Sequence, residues 1–514
     1  MTISTLKSGQ TAWIWTLCFV CSLILVMFAY YMYPVPDGDA IFFIPTIKTY
    51  AITGTLENKL VDMSFTTDPR GLGRFLYHTP GTPLFFGSLL SLFGVKSYQN
   101  VLILLSLARC ASVFLFAKSV LLVLQRNVLP AGIHRVVMPS ILVVSNAFFL
   151  FASNGRPEIL SILIISVALL SALSIRKTFK KNLVIQICLG LLFPVSIVNG
   201  LVGVIFYALY LSFSIPSWRK KALYLLFGLF FSALFFLASY SLAGVDLQEA
   251  FHGLMMQGQS KFSDNGFFTV HQILFYFGTW GLFGILSILF LAKRSSDFLG
   301  DKANYLADKM WLIISLIALF YAVFSFGLRQ PNSHYQLYAF ICVYQILSLQ
   351  LVLQAAGHGH KLFSAINICL IYAAIALSLL QPIKTILLFP YYLSSGSSYA
   401  TMKQKFEDLK PANCSMVYTT SVAMLDESQF GSIYSMNGAG GINKTERIKK
   451  YEKDSSCVMA IVQEANSNSP LPTEANLVAD FSDRSPYTGF LRSMRLLNSP
   501  KGYSFKVYRS DLGM

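Results

Sequence analysis

The chain has 514 residues, of which 54% are hydrophobic and only 12% are charged, and its formal net charge is +16. Soluble globular proteins contain about 25% charged residues, so this composition excludes a water-soluble enzyme, a disordered chain and a collagen-like fibre. Basic residues in this number would suit nucleic acid, but they also collect in the cytoplasmic loops of membrane proteins. We therefore predict a polytopic membrane protein that contacts membrane lipids and has no nucleic-acid partner.

Apolar runs of roughly 20 residues, the length that crosses a bilayer core of about 30 Å, recur along the chain. The first, residues 11–33, is too long for a signal-peptide core and is predicted to be a retained span. Residues 183–215 carry no charge and would form a single helix about 50 Å long, so we expect two short spans with a turn between Pro194 and Gly200. The other candidate spans are residues 99–124, 136–153, 157–175, 222–243, 267–292, 310–328, 335–356 and 362–383. These runs predict about 11 transmembrane helices.

The distribution of Lys and Arg between the short loops predicts the orientation, because cytoplasmic loops collect basic residues. With the N-terminus inside, one set of loops contains 14 basic residues and the opposite set contains 3. We therefore expect a cytoplasmic N-terminus and an extracytoplasmic C-terminal tail. The 14 are Arg126, Arg135, Arg176, Lys177, Lys180, Lys181, Arg219, Lys220, Lys221, Lys293, Arg294, Lys302, Lys309 and Lys361; the 3 are Arg156, Lys261 and Arg329.

The tail after the last apolar run is less hydrophobic and more charged than the rest of the chain. Strand-like runs begin at Cys414, Cys457 and Tyr503, and Gly, Asn and Ser clusters separate them. We predict a transmembrane domain over residues 1–394, with a first outer loop at 34–98, and a small soluble extracytoplasmic α/β domain over residues 395–514. Cys414 and Cys457 each open a strand and can pair in an oxidising compartment; the alternative is two buried thiols.

Two carboxylates, Asp37 and Asp39, stand directly after the first span. Asp39 opens an apolar stretch that contains a single charged residue, Lys48, and reaches Gly54; we expect it to form a helix at the membrane interface. Two interpretations of the carboxylates stay open. They are turn and helix-capping residues, or they are catalytic groups that face the membrane surface.

Four motifs occur in the same order as in the GT-C superfamily of membrane glycosyltransferases. They are Asp39 with Gly54, the His78-Thr-Pro-Gly-Thr-Pro segment that leads to Leu-Phe-Gly at 92–94, Arg-Pro-Glu at 156–158, and Pro-Asn-Ser-His-Tyr at 331–335. Together they resemble most closely the branch of protein O-mannosyltransferases and lipid A aminoarabinose transferase (glycosyltransferase family 39-like).

This resemblance implies an all-α, GT-C-like polytopic fold with interfacial helices in the first outer loop, in the inner membrane of a bacterial cell. It implies an inverting hexosyl- or pentosyltransferase that moves a sugar from a polyprenyl-phosphate donor to a lipid, glycan or protein acceptor at the outer face. Such a transfer needs a carboxylate base and cations for the departing phosphate. The implied catalytic residues are Asp39 and Asp37. The implied donor-phosphate or substrate-binding residues are Arg70, Arg74, His78, Arg156, Glu158, Arg329, His334 and Tyr335.

The chain departs from the family at two positions, since the Glu that usually follows the Asp is Ala40 and the Lys before the Pro segment is His78. No cofactor is implied with certainty, and a divalent cation is the open alternative. The arginines also admit a purely interfacial, snorkelling role. A transporter or flippase of a lipid-linked glycan is the alternative function. Transporters carry polar groups near mid-membrane, whereas the charges here gather at the outer ends of spans, which favours the enzyme.

Overall fold

The structure is a computed structural model, and it describes 19 stretches of the chain. These are residues 8–34, 36, 40–58, 78–94, 97–126, 134–148, 158–175, 177–262, 383, 385–390, 392–394, 398–409, 414–418, 432–435, 449, 452–453, 456–463, 471–481 and 505–511.

The described residues form eleven α-helices and five β-strands. The helices are α1 (Ser8–Tyr30), α2 (Ala40–Thr53), α3 (Gly81–Leu92), α4 (Tyr98–Arg126), α5 (His134–Phe148), α6 (Glu158–Ser174), α7 (Thr178–Val195), α8 (Ile197–Ser214), α9 (Trp218–Leu242), α10 (Leu247–Phe262) and α11 (Tyr399–Asp408). The strands are β1 (Ser415–Tyr418), β2 (Ser432–Ser435), β3 (Cys457–Gln463), β4 (Asn476–Asp480) and β5 (Phe505–Asp511). Residues 385–390 and 392–394 are also helical.

Four of the described helices, α1, α4, α7 and α9, are long and apolar enough to cross a membrane. The shorter helices α3 and α6 are also apolar. These elements confirm the predicted multi-pass, mainly helical membrane protein. The predicted spans at 267–292, 310–328 and 335–356, and nearly all of 362–383, lie outside the described residues, so the number of spans stays a prediction.

The predicted hairpin within residues 183–215 is confirmed. Helix α7 ends at Val195 and α8 begins at Ile197, and the residue between them, Ser196, is extended with φ −162° and ψ 117°. The Ser196 side chain caps α8, because its Oγ accepts the N–H of Asn199 at 3.4 Å. The two helices then pack against each other.

Neighbouring helices pack in an alternating bundle, with α1 against α4 and α5, α4 against α6, and α7 against α6, α8 and α9. Near the start of α1, Trp13 Nε1 donates to Ser140 Oγ at 2.9 Å. At its other end, the rings of Phe28 and Phe148 lie 6.4 Å apart and Gln99 Nε2 donates to the Tyr30 carbonyl. These contacts divide the helix termini between two ends of the bundle, which we call the site end and the basic end. The site end carries the end of α1, the starts of α4, α6 and α8 and the ends of α5, α7 and α9. The basic end carries exposed Lys177, Lys180, Arg219 and Lys220.

Helix α2 confirms the predicted helix that runs to Gly54. Gly54 has a φ of +73°, a conformation that glycine adopts most easily, and its N–H donates to the Tyr50 carbonyl at 2.9 Å. The helix packs on α3, where Gly87 lies against the Tyr50 ring and the Ile47 carbonyl. A side chain at Gly87 would prevent this close approach. Both helices contact α4, and α3 also contacts α7.

The C-terminal strands form one mixed sheet in the order β2-β1-β3-β5-β4. Strand β1 is parallel to β2 and β3, whereas β5 is antiparallel to β3 and β4. Helix α11 precedes the sheet, and Phe406 stacks on Phe481 with 5.5 Å between ring centroids. A disulfide joins Cys414 to Cys457, which confirms the predicted pair. The predicted α/β character of the tail is confirmed, and the domain limits at 394 and 395 stay a prediction.

Candidate active site

Only His78 and Glu158 among the predicted site residues belong to the described part of the chain. Outside the described residues lie Asp37, Asp39, Arg70, Arg74, Arg156, Arg329, His334 and Tyr335. The two residues that flank the carboxylates in the described chain, Pro36 and Ala40, are both buried at the site end. The predicted roles of the undescribed residues stay predictions.

His78 belongs to the predicted first outer loop, at the point where this loop contacts the bundle. Its half-buried ring contacts two rings of α2, with centroid distances of 5.6 Å to Phe42 and 4.8 Å to Phe43. The next residue, Thr79, is buried and its Oγ1 donates to the Val195 carbonyl at 2.8 Å. The motif around His78 is therefore held between α2 and the turn from α7 to α8.

Gly81 makes the same motif fit against α7. A Cβ atom at this position would overlap the backbone of Pro194 and Val195. The segment can therefore approach the end of α7 only if this residue has no side chain.

Glu158 is the first residue of α6, and its side chain is only 4% exposed. The N-terminus of a helix carries a partial positive charge that favours a carboxylate at this position. One turn further on, Ser161 Oγ accepts from Asn199 Nδ2 at 2.9 Å, and Asn199 belongs to the first turn of α8. The starts of α6 and α8 are thereby joined, so Glu158 and the His78 motif lie at the same end of the bundle.

A cluster of aromatic side chains holds the end of α1. The aromatic cluster consists of Phe28, Tyr33, Phe389 and Tyr392, and its ring centroids lie as close as 4.6 Å for Phe28 and Phe389 and 4.8 Å for Tyr33 and Tyr392. The Tyr33 hydroxyl also donates to the Thr385 carbonyl at 2.8 Å. The chain that leads into Asp37 and Asp39 therefore starts from a point fixed by residues more than 350 positions later.

Tyr392 links this cluster to α11. Its hydroxyl donates to the Tyr31 carbonyl at 2.9 Å and accepts the N–H of Tyr399 at 2.8 Å. Burial raises the pKa of the Tyr392 phenol well above its ordinary value, so the hydroxyl stays protonated and keeps donating to Tyr31. Tyr392 was not predicted to have a role, since nothing local in the sequence distinguishes it from other interfacial tyrosines.

Lys48 is a second residue that sequence reasoning left without a role. Its Nζ lies 4.2 Å from the centroid of the Tyr98 ring at the start of α4, a cation–π contact that ties α2 to the bundle. A single lysine within an apolar interfacial helix was the available signal for such a contact. On the same helix, the Phe42 carbonyl accepts from Asn58 Nδ2 at 3.2 Å.

Within the described ranges, no group of three or more His, Cys, Asp or Glu side chains could hold an ion. The divalent cation therefore stays an alternative that rests on the sequence resemblance.

No protein-family model and no curated protein matches the chain. It is similar in structure to ArnT from Cupriavidus metallidurans, a lipid A aminoarabinose transferase, in the apo state, with a TM-score of 0.53 and 12% identity over 98% of each chain. The chain has a GT-C fold. The crystal structure of ArnT bound to undecaprenyl phosphate matches with the same TM-score and identity, over 97% of this chain and 98% of that one. The apo oligosaccharyltransferase of Archaeoglobus fulgidus matches with a TM-score of 0.49 and 14% identity, over 87% of this chain and 69% of that chain.

The GT-C fold confirms the predicted fold class. The similarity to ArnT extends over nearly the whole of both chains, so it includes the helical bundle and the C-terminal sheet together.

Proposed function

We propose that this protein is an integral-membrane glycosyltransferase that moves a sugar from a polyprenyl-phosphate donor to an acceptor at the outer face of a bacterial inner membrane. The observation that carries the proposal is the GT-C fold along nearly the full chain, shared with a protein whose structure holds undecaprenyl phosphate. The gathering of His78 and Glu158 at one end of the bundle supports it, because a lipid-linked phosphate lies at the membrane surface.

The orientation follows from the charges of the two ends. Exposed Lys177, Lys180, Arg219 and Lys220 all lie at the basic end. Short cytoplasmic loops collect Lys and Arg, so the basic end faces the cytoplasm and the site end faces outward in this proposal. The disulfide between Cys414 and Cys457 supports the same orientation, because disulfides persist in oxidising compartments.

The reaction is a single inverting displacement. Asp39 takes the proton of the acceptor hydroxyl while that oxygen attacks the anomeric carbon from the side opposite the phosphate. The bond between the anomeric carbon and the phosphate oxygen breaks, and its electron pair leaves with the polyprenyl phosphate. Cationic groups stabilise the charge on the departing phosphate. The candidates are Arg70, Arg74, His78, Arg156 and Arg329.

The remaining candidates bind the substrates or assist the base. Asp37 lies two positions before Asp39. It serves as the second carboxylate in place of the family's Glu, whose position is occupied by Ala40 in this chain. Glu158, His334 and Tyr335 bind the sugar or the acceptor. A divalent cation is the alternative to a purely side-chain phosphate site. The acceptor is a lipid, a glycan or a protein.

The test is sugar transfer by the purified protein in proteoliposomes, with lipid-linked donors that carry a radiolabelled sugar. Asp39→Asn should lower the rate by about 10²- to 10⁴-fold, the value of a positioned general base. Asp408→Asn is the matched control, since it makes the same change at an exposed position of α11 and should leave the rate unchanged.

Two results would contradict the proposal in different ways. Near-normal transfer by Asp39→Asn would remove Asp39 as the base and leave the enzyme class intact. Movement of the labelled lipid across the bilayer without any covalent transfer, by the unmodified protein, would replace the enzyme by a flippase.

A further inference from the structure

Helix α10 follows α9 almost directly, and hydrogen bonds fix the junction between them. Gly244 ends α9 with a φ of +63°, and the N–H of Val245 donates back to the Tyr240 carbonyl at 3.1 Å, as in a Schellman cap. Asp246 then caps α10, because its Oδ1 accepts the N–H of Gln248 at 3.0 Å. The end of α9 and the start of α10 are both capped, and only a few residues separate them. The local backbone therefore fixes the direction of α10 relative to α9.

One side of α10 exposes large apolar groups. Leu247, Phe251 and Met255, spaced four residues apart, are 47%, 67% and 51% exposed, and together they form the apolar stripe. Residues four apart lie on the same side of a helix. Ala250 and Gly253 lie beside this stripe and are buried. One face of the helix therefore packs against the protein, and the described residues leave the adjacent apolar face uncovered.

The opposite flank of α10 is polar. Gln248 and His252 are exposed there, and Glu249 is half-buried. The helix thus has three sectors around its axis. One is buried, the second is exposed and apolar, and the third is exposed and polar. That arrangement is typical of a helix that lies in a membrane–water interface.

The position of α10 relative to the bilayer follows from α9. Helix α9 has 25 residues and is about 38 Å long, longer than a hydrocarbon core of about 30 Å, so its end reaches the membrane surface. Large apolar side chains are exposed along this helix as far as its last residue, with Phe230, Leu237 and Leu242 at 59%, 48% and 74%. Leu242 is only five positions before Leu247, so the apolar stripe begins close to the exposed apolar surface of α9.

We propose that α10 lies along the bilayer surface at the site end and inserts Leu247, Phe251 and Met255 among the lipids at the boundary of headgroups and acyl chains. Residues 247–255 contain no Lys or Arg. The one basic residue of α10, Lys261, lies six positions beyond Met255, so insertion of the apolar stripe depends on apolar contact rather than on attraction to anionic headgroups. This surface anchors the chain that leaves α9 and is independent of the proposed transferase reaction.

Spin labels on the full-length protein in phosphatidylcholine nanodiscs test the proposal. Phe251→Cys and Met255→Cys place the label on the apolar stripe, and Gln248→Cys and His252→Cys are matched controls on the polar flank. The parent protein, labelled in parallel, gives the background from native cysteines. Power saturation with oxygen and with a water-soluble nickel chelate measures the depth of each label.

Labels at 251 and 255 should collide mainly with oxygen and lie about 5 to 10 Å below the headgroup boundary, whereas labels at 248 and 252 should collide mainly with the nickel chelate. Addition of phosphatidylglycerol should leave these depths unchanged. Equal nickel access at 251 and 248 would overturn the proposal. Low access to both reagents at 251 would do the same and would indicate a protein partner. Insertion that requires phosphatidylglycerol would refute the apolar mechanism. The two stripe positions protect the test against a single variant that misfolds.

Discussion

Replacing Tyr392 by phenylalanine removes one oxygen atom and two hydrogen bonds while the ring stays in the aromatic cluster. The Tyr31 carbonyl loses a donor that lies 2.9 Å away, and the N–H of Tyr399 loses an acceptor at 2.8 Å. Each such bond contributes about 0.5 to 1.5 kcal/mol net. Tyr392→Phe should therefore lower the free energy of unfolding by about 1 to 3 kcal/mol.

The matched control is Tyr240→Phe. Tyr240 is also buried, at 1% exposed, but its hydroxyl makes no hydrogen bond to any described residue. Removing that oxygen should leave stability unchanged or raise it, because a buried hydroxyl without a partner costs free energy. Tyr33→Phe is a second test of the cluster and should cost stability through the lost bond to the Thr385 carbonyl.

The assay is thermal unfolding of the three variants in identical nanodiscs, together with protease digestion of the C-terminal domain at temperatures below the transition. Tyr392→Phe should unfold at a lower temperature than the parent, and its tail should be cleaved faster, because the bond to Tyr399 joins the cluster to α11. The reasoning would be refuted if Tyr392→Phe matched the parent in both measurements while Tyr240→Phe was destabilised.

Three further predictions follow from contacts in the bundle and the tail. The double variant Cys414→Ser with Cys457→Ser should lower the free energy of unfolding by roughly 4 kcal/mol, the loop-closure value for a sequence separation of 43. The control Cys188→Ser removes a free buried thiol and should leave the disulfide intact on non-reducing mass mapping. Gly81→Ala should lower the free energy of unfolding by about 1 to 3 kcal/mol, measured by thermal unfolding, because its methyl group overlaps the backbone of Pro194. The control Gly9→Ala adds a methyl group in open space and should not lower it. Equal effects of the two variants would contradict the close contact at Gly81. In intact cells, a membrane-impermeant maleimide should label Asp408→Cys and spare Lys180→Cys, and the reverse pattern would invert the proposed orientation.

The helical part of the fold was predictable where the sequence pattern is long. An uncharged stretch that would be about 50 Å long as one helix is well beyond a hydrocarbon core of about 30 Å, which is why the turn near Pro194 was foreseen. The helix to Gly54 followed from an apolar run that ends in a glycine. Helix α10 was missed, because its apolar residues are spaced four apart and are separated by Gln248, Glu249 and His252, so no run of one kind stands out.

The candidate site was predictable only in outline. Because successive spans run in opposite directions, the His78 motif and Glu158 were expected at the same end of the bundle. The structure has both at that end. The hydrogen bond from Asn199 to Ser161 and the contacts of Tyr392 were not predictable. They join residues far apart in the sequence, and neither partner differs from an ordinary polar or aromatic residue at a span end. Only the packed bundle brings them together.

The aromatic cluster also imposes an order on biosynthesis. The hydroxyl of Tyr33 donates to the carbonyl of Thr385, which lies 352 positions later in the chain. At a translation rate of about 5 to 20 residues per second, the end of α1 waits roughly 20 to 70 s in the membrane before its partner is made. Until then, the segment that leads into Asp37 and Asp39 lacks the hydrogen bond from Tyr33 to Thr385. The newly inserted protein would therefore complete its site end only after about three quarters of the chain has been made.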